Sequence, residues 1–140
     1  GRVLDWHRRA CPDTEYTPAA EPGVQLVAAS YGFMRRHRYR TSVMGASFRN
    51  VGEIIALAGC DRLTISPALL EALAVTEGSL KAALTTPAEH QAPPPPLSER
   101  DFRWQMNQDA MATEKLAEGI RGFAVDQGKL EALIAQRLCT

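Results

Sequence analysis

The fold of this chain is decided by residues 41–50, TSVMGASFRN. The stretch begins with small, β-branched and apolar residues, which favour a buried β-strand over residues 41–46. The next segment, VGEIIALA at residues 51–58, has the composition and apolar spacing of an α-helix. A strand that leads through a polar turn into a helix is the first half of a βα unit. In parallel sheets and barrels the functional side chains lie where strands end, so Ser47 and Arg49 are the first candidate site residues.

A second βα unit follows directly. Residues 61–66, DRLTIS, favour another short strand, and Pro67 suits the first turn of the next helix. Consecutive βα units of this length imply parallel strands joined by right-handed crossovers. Upstream, helices are predicted for residues 1–10 and for a segment that begins at Pro22. Two strands are few for so many helices, so the chain is either a small α/β fold or part of a larger sheet such as a (β/α)₈ barrel.

The composition is that of an ordinary globular domain. The chain has 140 residues, of which 45% are hydrophobic and 23% are charged. A formal net charge of zero gives no electrostatic argument for a nucleic-acid or membrane partner. No apolar run approaches the roughly 18–20 residues of a membrane span, and no charged-then-apolar leader is visible. The chain begins with Gly1 inside a predicted helix, and we expect that an N-terminal portion precedes it.

The cysteines point to no metal centre. Cys11, Cys60 and Cys139 are odd in number and widely spaced. They form no C-x-x-C or Cys/His pattern of the kind that binds zinc, so no metal site is predicted. A reducing compartment is the simpler expectation for such thiols.

The middle of the chain is predicted to be a connector. Residues 77–97 form a proline-rich surface segment, because the four prolines at residues 93–96 favour an extended polyproline conformation. One short helical turn is predicted within it, at residues 79–84.

The last segment, residues 98–140, is predicted to be helical. Ser98 and Asp101 resemble a capping box with Asp in place of Glu or Gln. Apolar residues recur at helical spacing from residue 109 to residue 138, which predicts a long amphipathic helix packed on the core. Three glycines weaken this helix, so a bend in it is one expectation.

Ser47 and Arg49 have two interpretations. A hydroxyl and a planar guanidinium just past a strand, near the backbone N–H groups of a helix start, suit an anion such as phosphate. In the alternative, Ser47 caps the helix and Arg49 forms a surface salt bridge.

The strongest basic cluster is at residues 35–40, RRHRYR. It is interpreted either as a solvated helix end or as a surface for nucleic acid or another anion. Asp61 is predicted at the start of the second strand, at the end of a barrel that serves stability.

The lysines limit the possible chemistry. Lysine occurs only at Lys81, Lys115 and Lys129, late in the chain and away from the predicted strands. An enzyme that works through a Schiff base needs a desolvated lysine at the reacting centre, and none of these three is a candidate for it.

Several stretches resemble the transaldolase family. They are VMGASFRN at residues 43–50, GEI and LAGCDRLTISP within residues 52–67, GRVLDW at residues 1–6, and Asp109 with MA, KL, EGIR and FA within residues 111–124. The resemblance spans nearly the whole chain, with the exception of residues 77–97, where the proline run departs from the family pattern.

The resemblance implies an α/β fold, namely the C-terminal part of a (β/α)₈ TIM barrel with an additional C-terminal helical segment. Residues 1–76 would form the closing βα units. The family transfers a dihydroxyacetone unit from sedoheptulose 7-phosphate to glyceraldehyde 3-phosphate through a lysine Schiff base, without metal or organic cofactor. Its phosphate-binding residues fall on Arg2, Ser47 and Arg49.

The family's Schiff-base lysine lies on earlier strands, which are not in this sequence. We therefore expect a C-terminal portion that holds phosphate, contains no catalytic residue and is inactive alone. The expected partners are sugar phosphates, the missing N-terminal barrel portion and a second copy in a homodimer, but no nucleic acid or membrane. The expected location is the cytoplasm, or the plastid stroma if a transit peptide lies upstream. The alternatives are a non-catalytic module for phosphorylated ligands or a partner chain, and a nucleic-acid binder that uses residues 35–40.

Overall fold

The structure, a computed structural model, describes residues 1–138. Contacts divide the chain into two compact units, Gly1–Pro95 and a second unit that begins at Pro96. Cys139, one of the three cysteines considered above, lies outside the described residues.

The first unit alternates helices and strands. After two helices come a strand, a helix, a second strand and a helix, which confirms the order predicted from the sequence. The elements are α1 (Arg2–Ala10), a short 3₁₀ helix (Pro18–Ala20), α2 (Pro22–Arg36), β1 (Met44–Gly45), α3 (Val51–Ala56), β2 (Arg62–Leu63) and α4 (Pro67–Ala74).

The two strands are parallel, as predicted. Met44 lies opposite Arg62 and Gly45 lies opposite Leu63. Two further backbone hydrogen bonds extend the ladder, from the Arg62 amide to the Val43 carbonyl at 3.2 Å and from the Thr64 amide to the Gly45 carbonyl at 2.9 Å.

The predicted strand lengths are wrong. Residues 41–46 and 61–66 were expected to be strands, but each strand has only two residues. Within residues 1–138 the sheet has two strands, so neither strand has a second neighbour there that would extend its hydrogen bonding. The expected burial of the first strand also fails at Met44, which is 60% exposed, whereas Gly45 is buried.

The apolar core of the first unit joins its helices beneath the end of β1. A methyl group at Gly45 would lie 3.1 Å from both the Leu63 and the Phe48 side chains, so the small residue lets the strand lie close to its neighbours. Two residues of α2, Val24 and Tyr31, are buried in this core. The buried apolar residues are Leu4, Val24, Tyr31, Ile54 and Leu57.

Asp61 holds the start of both strands. Its carboxylate accepts a hydrogen bond from the Val43 amide at 2.8 Å and another from the Arg35 guanidinium at 3.2 Å. Arg35, the first residue of the basic cluster, is therefore a partly buried structural residue that ties α2 to the strands. This end of the sheet is opposite the end from which Ser47 follows.

Residues 77–97 include no helix or strand, and residues 77–95 of this segment, predicted to be a connector, belong to the first unit. Residues 79–84, all of which the structure describes, form no helix, so the predicted helical turn is wrong. The amides of Ala83 and Leu84 instead bond to the Ala58 carbonyl, each at 2.8 Å. The prolines at residues 93–96 are exposed.

The second unit contains two helices, α5 (Glu99–Gln108) and α6 (Ala110–Leu138). The predicted cap is confirmed, because Ser98 Oγ accepts a hydrogen bond from the Asp101 amide at 3.1 Å. The long helix is also confirmed, and it continues through its glycines. No residue of α5 or α6 is buried. The packing of this segment on a barrel stays a prediction.

Within residues 1–138, none of the helices combines the length and the apolar composition that a membrane span requires.

Candidate functional site

The turn between β1 and α3 carries two of the three candidate site residues. Ser47 is exposed and has a φ of +62°, a left-handed backbone conformation that is uncommon outside glycine. The helix after the turn is capped by Asn50, whose Oδ1 accepts a hydrogen bond from the Glu53 amide at 2.9 Å. The alternative in which Ser47 caps this helix is therefore wrong.

Arg49 forms a two-pronged ion pair with Asp5 of α1. Its Nη2 lies 2.5 Å from Asp5 Oδ2 and its Nε lies 3.3 Å from Asp5 Oδ1. The remaining nitrogen, Nη1, donates to the Ser47 carbonyl at 2.8 Å. The hydrogen bond from Arg49 holds the pKa of Asp5 below its ordinary value of 3.8, and the same bond raises the pKa of Arg49. The surface salt bridge expected as an alternative for Arg49 is thus present, with side chains that are 40% and 41% exposed.

Arg2 and Ser47 line one cavity of about 140 Å³, which lies between the starts of α1 and α2 and the turn after β1. Gly1 packs against this turn, since a methyl group at position 1 would lie 1.8 Å from the Ser47 carbonyl oxygen. The structure therefore brings Arg2 and Ser47 together. Arg49 is adjacent, and its guanidinium is joined to the site through the Ser47 carbonyl.

Two carboxylates that were not predicted as site residues, Glu21 and Glu53, also line this cavity. Glu21 is 3% exposed and Glu53 is 2% exposed. Glu53 Oε2 accepts a hydrogen bond from the Arg49 amide at 2.9 Å. Asn50 Nδ2 lies 3.2 Å from Glu53 Oε1 and 3.3 Å from Glu21 Oε1, so one amide group bridges the two carboxyls.

The pair of carboxyls affects the charge of the cavity. Burial raises the pKa of Glu21 above its ordinary value of 4.5, and a hydrogen bond with Glu53 and the charge of Glu53 raise it further. A proton on Glu21 reduces the negative charge that an anion near Arg2 would meet.

A sequence signal for part of this cluster exists. Asn50-Val51-Gly52-Glu53 has a capping residue followed three positions later by Glu, which is the spacing of a capping box. Asp5 has no comparable signal, because 44 residues separate it from Arg49.

Two backbone N–H groups near the start of α3 already donate hydrogen bonds within the protein. The Arg49 amide donates to Glu53 and the Glu53 amide donates to Asn50. The part of the expected anion site that relied on these two amides is not available to a ligand.

The basic cluster at residues 35–40 lies elsewhere. Phe33 and Tyr39 stack with ring centroids 5.9 Å apart, and His37 Nδ1 lies 2.9 Å from the Ala92 carbonyl oxygen of the connector. These contacts organise the end of α2. The alternative interpretation of the cluster, as a surface for nucleic acid or another anion, is not tested by these contacts.

The lysines lie away from the strands, as expected. Lys81 is in the exposed connector. On α6, Lys115 pairs with Glu118 at 2.5 Å and Lys129 pairs with Asp126 at 2.8 Å. Among residues 1–138, no group of three or more His, Cys, Asp or Glu side chains is arranged to hold a metal ion.

Comparison with known proteins gives a consistent result. The family model described as transaldolase/fructose-6-phosphate aldolase matches residues 1–134. A transaldolase of Aeromonas salmonicida (strain A449) is 58% identical over 138 residues, which cover 99% of this chain and 43% of that protein. Transaldolases of Methylobacillus flagellatus and Yersinia pseudotuberculosis are 57% and 54% identical over the same length.

The chain spans less than half the length of these curated relatives, since it covers 43% or 44% of each. The family model covers most of the chain, and it includes α1, both strands and the turn that carries Ser47 and Arg49. The chain therefore belongs to the transaldolase/fructose-6-phosphate aldolase family.

Proposed function

We propose that the protein is a transaldolase of the pentose phosphate pathway and that this chain binds the phosphate group of its substrates. The reaction transfers a dihydroxyacetone unit from sedoheptulose 7-phosphate to glyceraldehyde 3-phosphate and gives erythrose 4-phosphate and fructose 6-phosphate. The observation that carries the proposal is the position of Ser47 and Arg49 on the turn after β1, beside the cavity that Arg2 lines.

The three residues suit a terminal phosphate. A guanidinium presents N–H groups in a fixed fork that matches two phosphate oxygens, and a serine hydroxyl can donate to a third. All four sugars of the reaction end in a phosphate, so one binding site serves each of them. The ion pair between Arg49 and Asp5 is well exposed, and pairs of this kind contribute about 0–1 kcal/mol, so its rearrangement around a dianion costs little.

We further propose that residues 1–76 form closing βα units of a (β/α)₈ barrel. The parallel pairing of the two strands supports this proposal. The two ends of the strands also carry different kinds of residue. Asp61 anchors the start of the strands, while the candidate site follows the end of β1, as is usual in such barrels.

The catalytic lysine is proposed to lie outside these 140 residues. A lysine that forms a Schiff base must be unprotonated when it attacks the substrate carbonyl, which requires a desolvated site. Lys115 and Lys129 lie on α6 and are paired with Glu118 and Asp126, and Lys81 is exposed, so none of the three lies in a desolvated site at the end of a strand. The chain alone is therefore proposed to be inactive.

The remaining parts of the proposal are supported by family membership and composition. They are a reaction without a cofactor, sugar phosphates as ligands, a cytoplasmic location and assembly as a homodimer. The net charge of zero supports a protein without nucleic-acid or membrane partners.

Borohydride trapping with fructose 6-phosphate tests the proposal. Reduction converts a lysine Schiff base into a stable secondary amine, which mass spectrometry locates. We expect an adduct on the protein in its full natural length and none on the isolated 140-residue chain. An adduct on Lys81, Lys115 or Lys129 would contradict the placement of the lysine. Phosphate binding without an adduct on the full-length protein would favour a non-catalytic module for phosphorylated ligands.

A further inference from the structure

We propose that Glu53 is a positioning residue for the phosphate-binding turn, and that Asn50 links it to Glu21 at the start of α2. The inference rests on the proposed function, because it concerns how Ser47 and Arg49 are held for the same ligand. Glu53 itself touches the turn and is not required to touch the ligand.

Glu53 bonds to the turn through both carboxylate oxygens. Oε2 accepts from the Arg49 amide at 2.9 Å, and Oε1 accepts from Asn50 Nδ2 at 3.2 Å. The Glu53 amide in turn donates to Asn50 Oδ1 at 2.9 Å. Three hydrogen bonds among three nearby residues fix the end of the turn, and those to an ionised carboxylate are stronger than neutral ones.

Burial strengthens this arrangement. Glu53 is 2% exposed, so water does not compete for its oxygens. A buried carboxylate needs hydrogen-bond donors, and those that Glu53 finds include the backbone of Arg49 and the side chain of Asn50. The conformation of the turn therefore depends on the Glu53 carboxylate, and the carboxylate depends on the turn for its hydrogen-bond donors.

The same contacts reach Ser47. Its left-handed φ of +62° is a strained conformation for a residue other than glycine, and it persists only where neighbouring groups fix it. Arg49 Nη1 holds the Ser47 carbonyl at 2.8 Å, and the Arg49 backbone is held by Glu53. Glu53 thus acts on both ligand-binding residues through Arg49.

Glu21 extends the arrangement to α2. Its Oε1 lies 3.3 Å from Asn50 Nδ2, and Pro22 directly after it opens the helix. Glu21 is 3% exposed and forms part of the same cavity wall. The start of α2, the start of α3 and the turn are therefore one hydrogen-bonded unit.

The test is inorganic phosphate binding by the protein in its full natural length, measured by calorimetry and by the rise in Tm that phosphate causes. Glu53→Gln keeps the shape of the side chain but removes its charge and presents an amide donor to Asn50. We expect about tenfold weaker phosphate binding, which corresponds to loss of one charge-assisted hydrogen bond. Glu71→Gln on the exposed face of α4 is the matched control, with unchanged binding expected.

A merely structural role would lower Tm and leave the phosphate affinity of the folded variant as it was, and that result would overturn the inference. Asn50→Ser gives a second variant, because serine keeps the capping oxygen and removes the bridging Nδ2; wild-type affinity in folded Asn50→Ser would also count against it. Hydrogen exchange of the Arg49 amide gives a measurement on the unmutated protein. We expect strong protection, and exchange as fast as in a free peptide would show that the bond to Glu53 is absent.

Failure of the proposed function has a different signature. In that case the wild-type protein and Arg49→Ala would bind phosphate equally weakly. The inference alone fails when Arg49→Ala weakens phosphate binding and Glu53→Gln does not.

Discussion

The guanidinium of Arg49 is paired with Asp5 in the structure. Asp5 accepts from two of its nitrogens, and the Ser47 carbonyl accepts from the third. This orients the guanidinium beside Ser47 before a ligand arrives, so less side-chain freedom is lost on binding. Phosphate carries more charge than the Asp5 carboxylate, and the exposed pair can rearrange around it. The ion pair and the phosphate site are therefore compatible interpretations of one residue.

Replacement of Arg49 by Ala tests its role in binding. The change removes the guanidinium and leaves Asp5 as an uncompensated negative charge beside the ligand. We expect the affinity of the full-length protein for fructose 6-phosphate to fall by about 2–4 kcal/mol, as for a lost charge-assisted contact. Arg40→Ala, at an exposed position, is the control and should bind normally. Unchanged affinity of Arg49→Ala in calorimetry would refute the assignment.

The raised pKa of Glu21 predicts a pH dependence of stability. Folded Glu21 keeps its proton at pH values above 4.5, where the unfolded chain has lost it. Unfolding then releases a proton, so the free energy of unfolding falls as pH rises from 4.5 towards the raised pKa. Glu21→Gln removes this contribution, so the free energy of unfolding of the variant should decline less steeply with pH over that range. Urea unfolding at several pH values measures this. A decline as steep as that of the wild type, or a flattened one in the control Glu71→Gln, would contradict the prediction.

The residues of the site differ in how far sequence alone can find them. Ser47 and Arg49 stand out because they follow an apolar stretch and precede a helix. Asn50 and Glu53 are marked by capping-box spacing. Asp5 and Glu21 are not, since their contacts depend on where α1 and α2 are placed in three dimensions. Sequence patterns report local hydrogen bonding well, whereas pairs between distant segments appear only in the fold.

At the scale of the elements, helices could be predicted more closely than strands. The first residues of α2 and α4 are Pro22 and Pro67, whose fixed φ and missing N–H suit a first turn. A strand has no such local mark, because its length depends on the neighbours with which it pairs. Residues 41–46 have the composition of a longer strand, but β1 extends only over Met44–Gly45, beside the equally short β2.

Substitution of Gly59 tests the contact between the turn after α3 and the connector, and substitution of Gly32 is the control. Gly59 has a φ of +101°, and a methyl group there would lie 2.2 Å from the Leu84 carbonyl oxygen. Gly59→Ala should lower the free energy of unfolding by about 2–3 kcal/mol, because the backbone is strained and the connector must move. Gly32→Ala, in the interior of α2 with nothing within 4 Å, should raise it by about 0.5–1 kcal/mol. Urea unfolding of both variants measures this, and equal effects would show that the connector does not pack against Gly59.

At the scale of the whole molecule, the two units differ in what they bury. The first has an apolar core that joins α1, α2 and α3, whereas no residue of α5 or α6 is buried. Large apolar side chains of the second unit are exposed at helical spacing, among them Leu116, Ile120 and Phe123. Side chains three or four residues apart share one face of a helix, and large apolar patches are uncommon on the surface of monomeric proteins.

This exposure predicts how the isolated chain behaves. The relatives are more than twice as long as this chain, and we expect the additional protein to cover apolar surface that the 140 residues leave open. The isolated chain should therefore increase the fluorescence of the dye ANS more, per mole, than the protein in its full natural length. Exchange of Ile120 and Phe123 for Gln should reduce that signal, because both side chains are more than 60% exposed. Gln at Thr86 and Glu89 in the exposed, polar part of the connector is the matched double substitution and should leave the signal unchanged. Equal dye binding by the isolated and the full-length protein would show that the rest of the protein does not cover this surface.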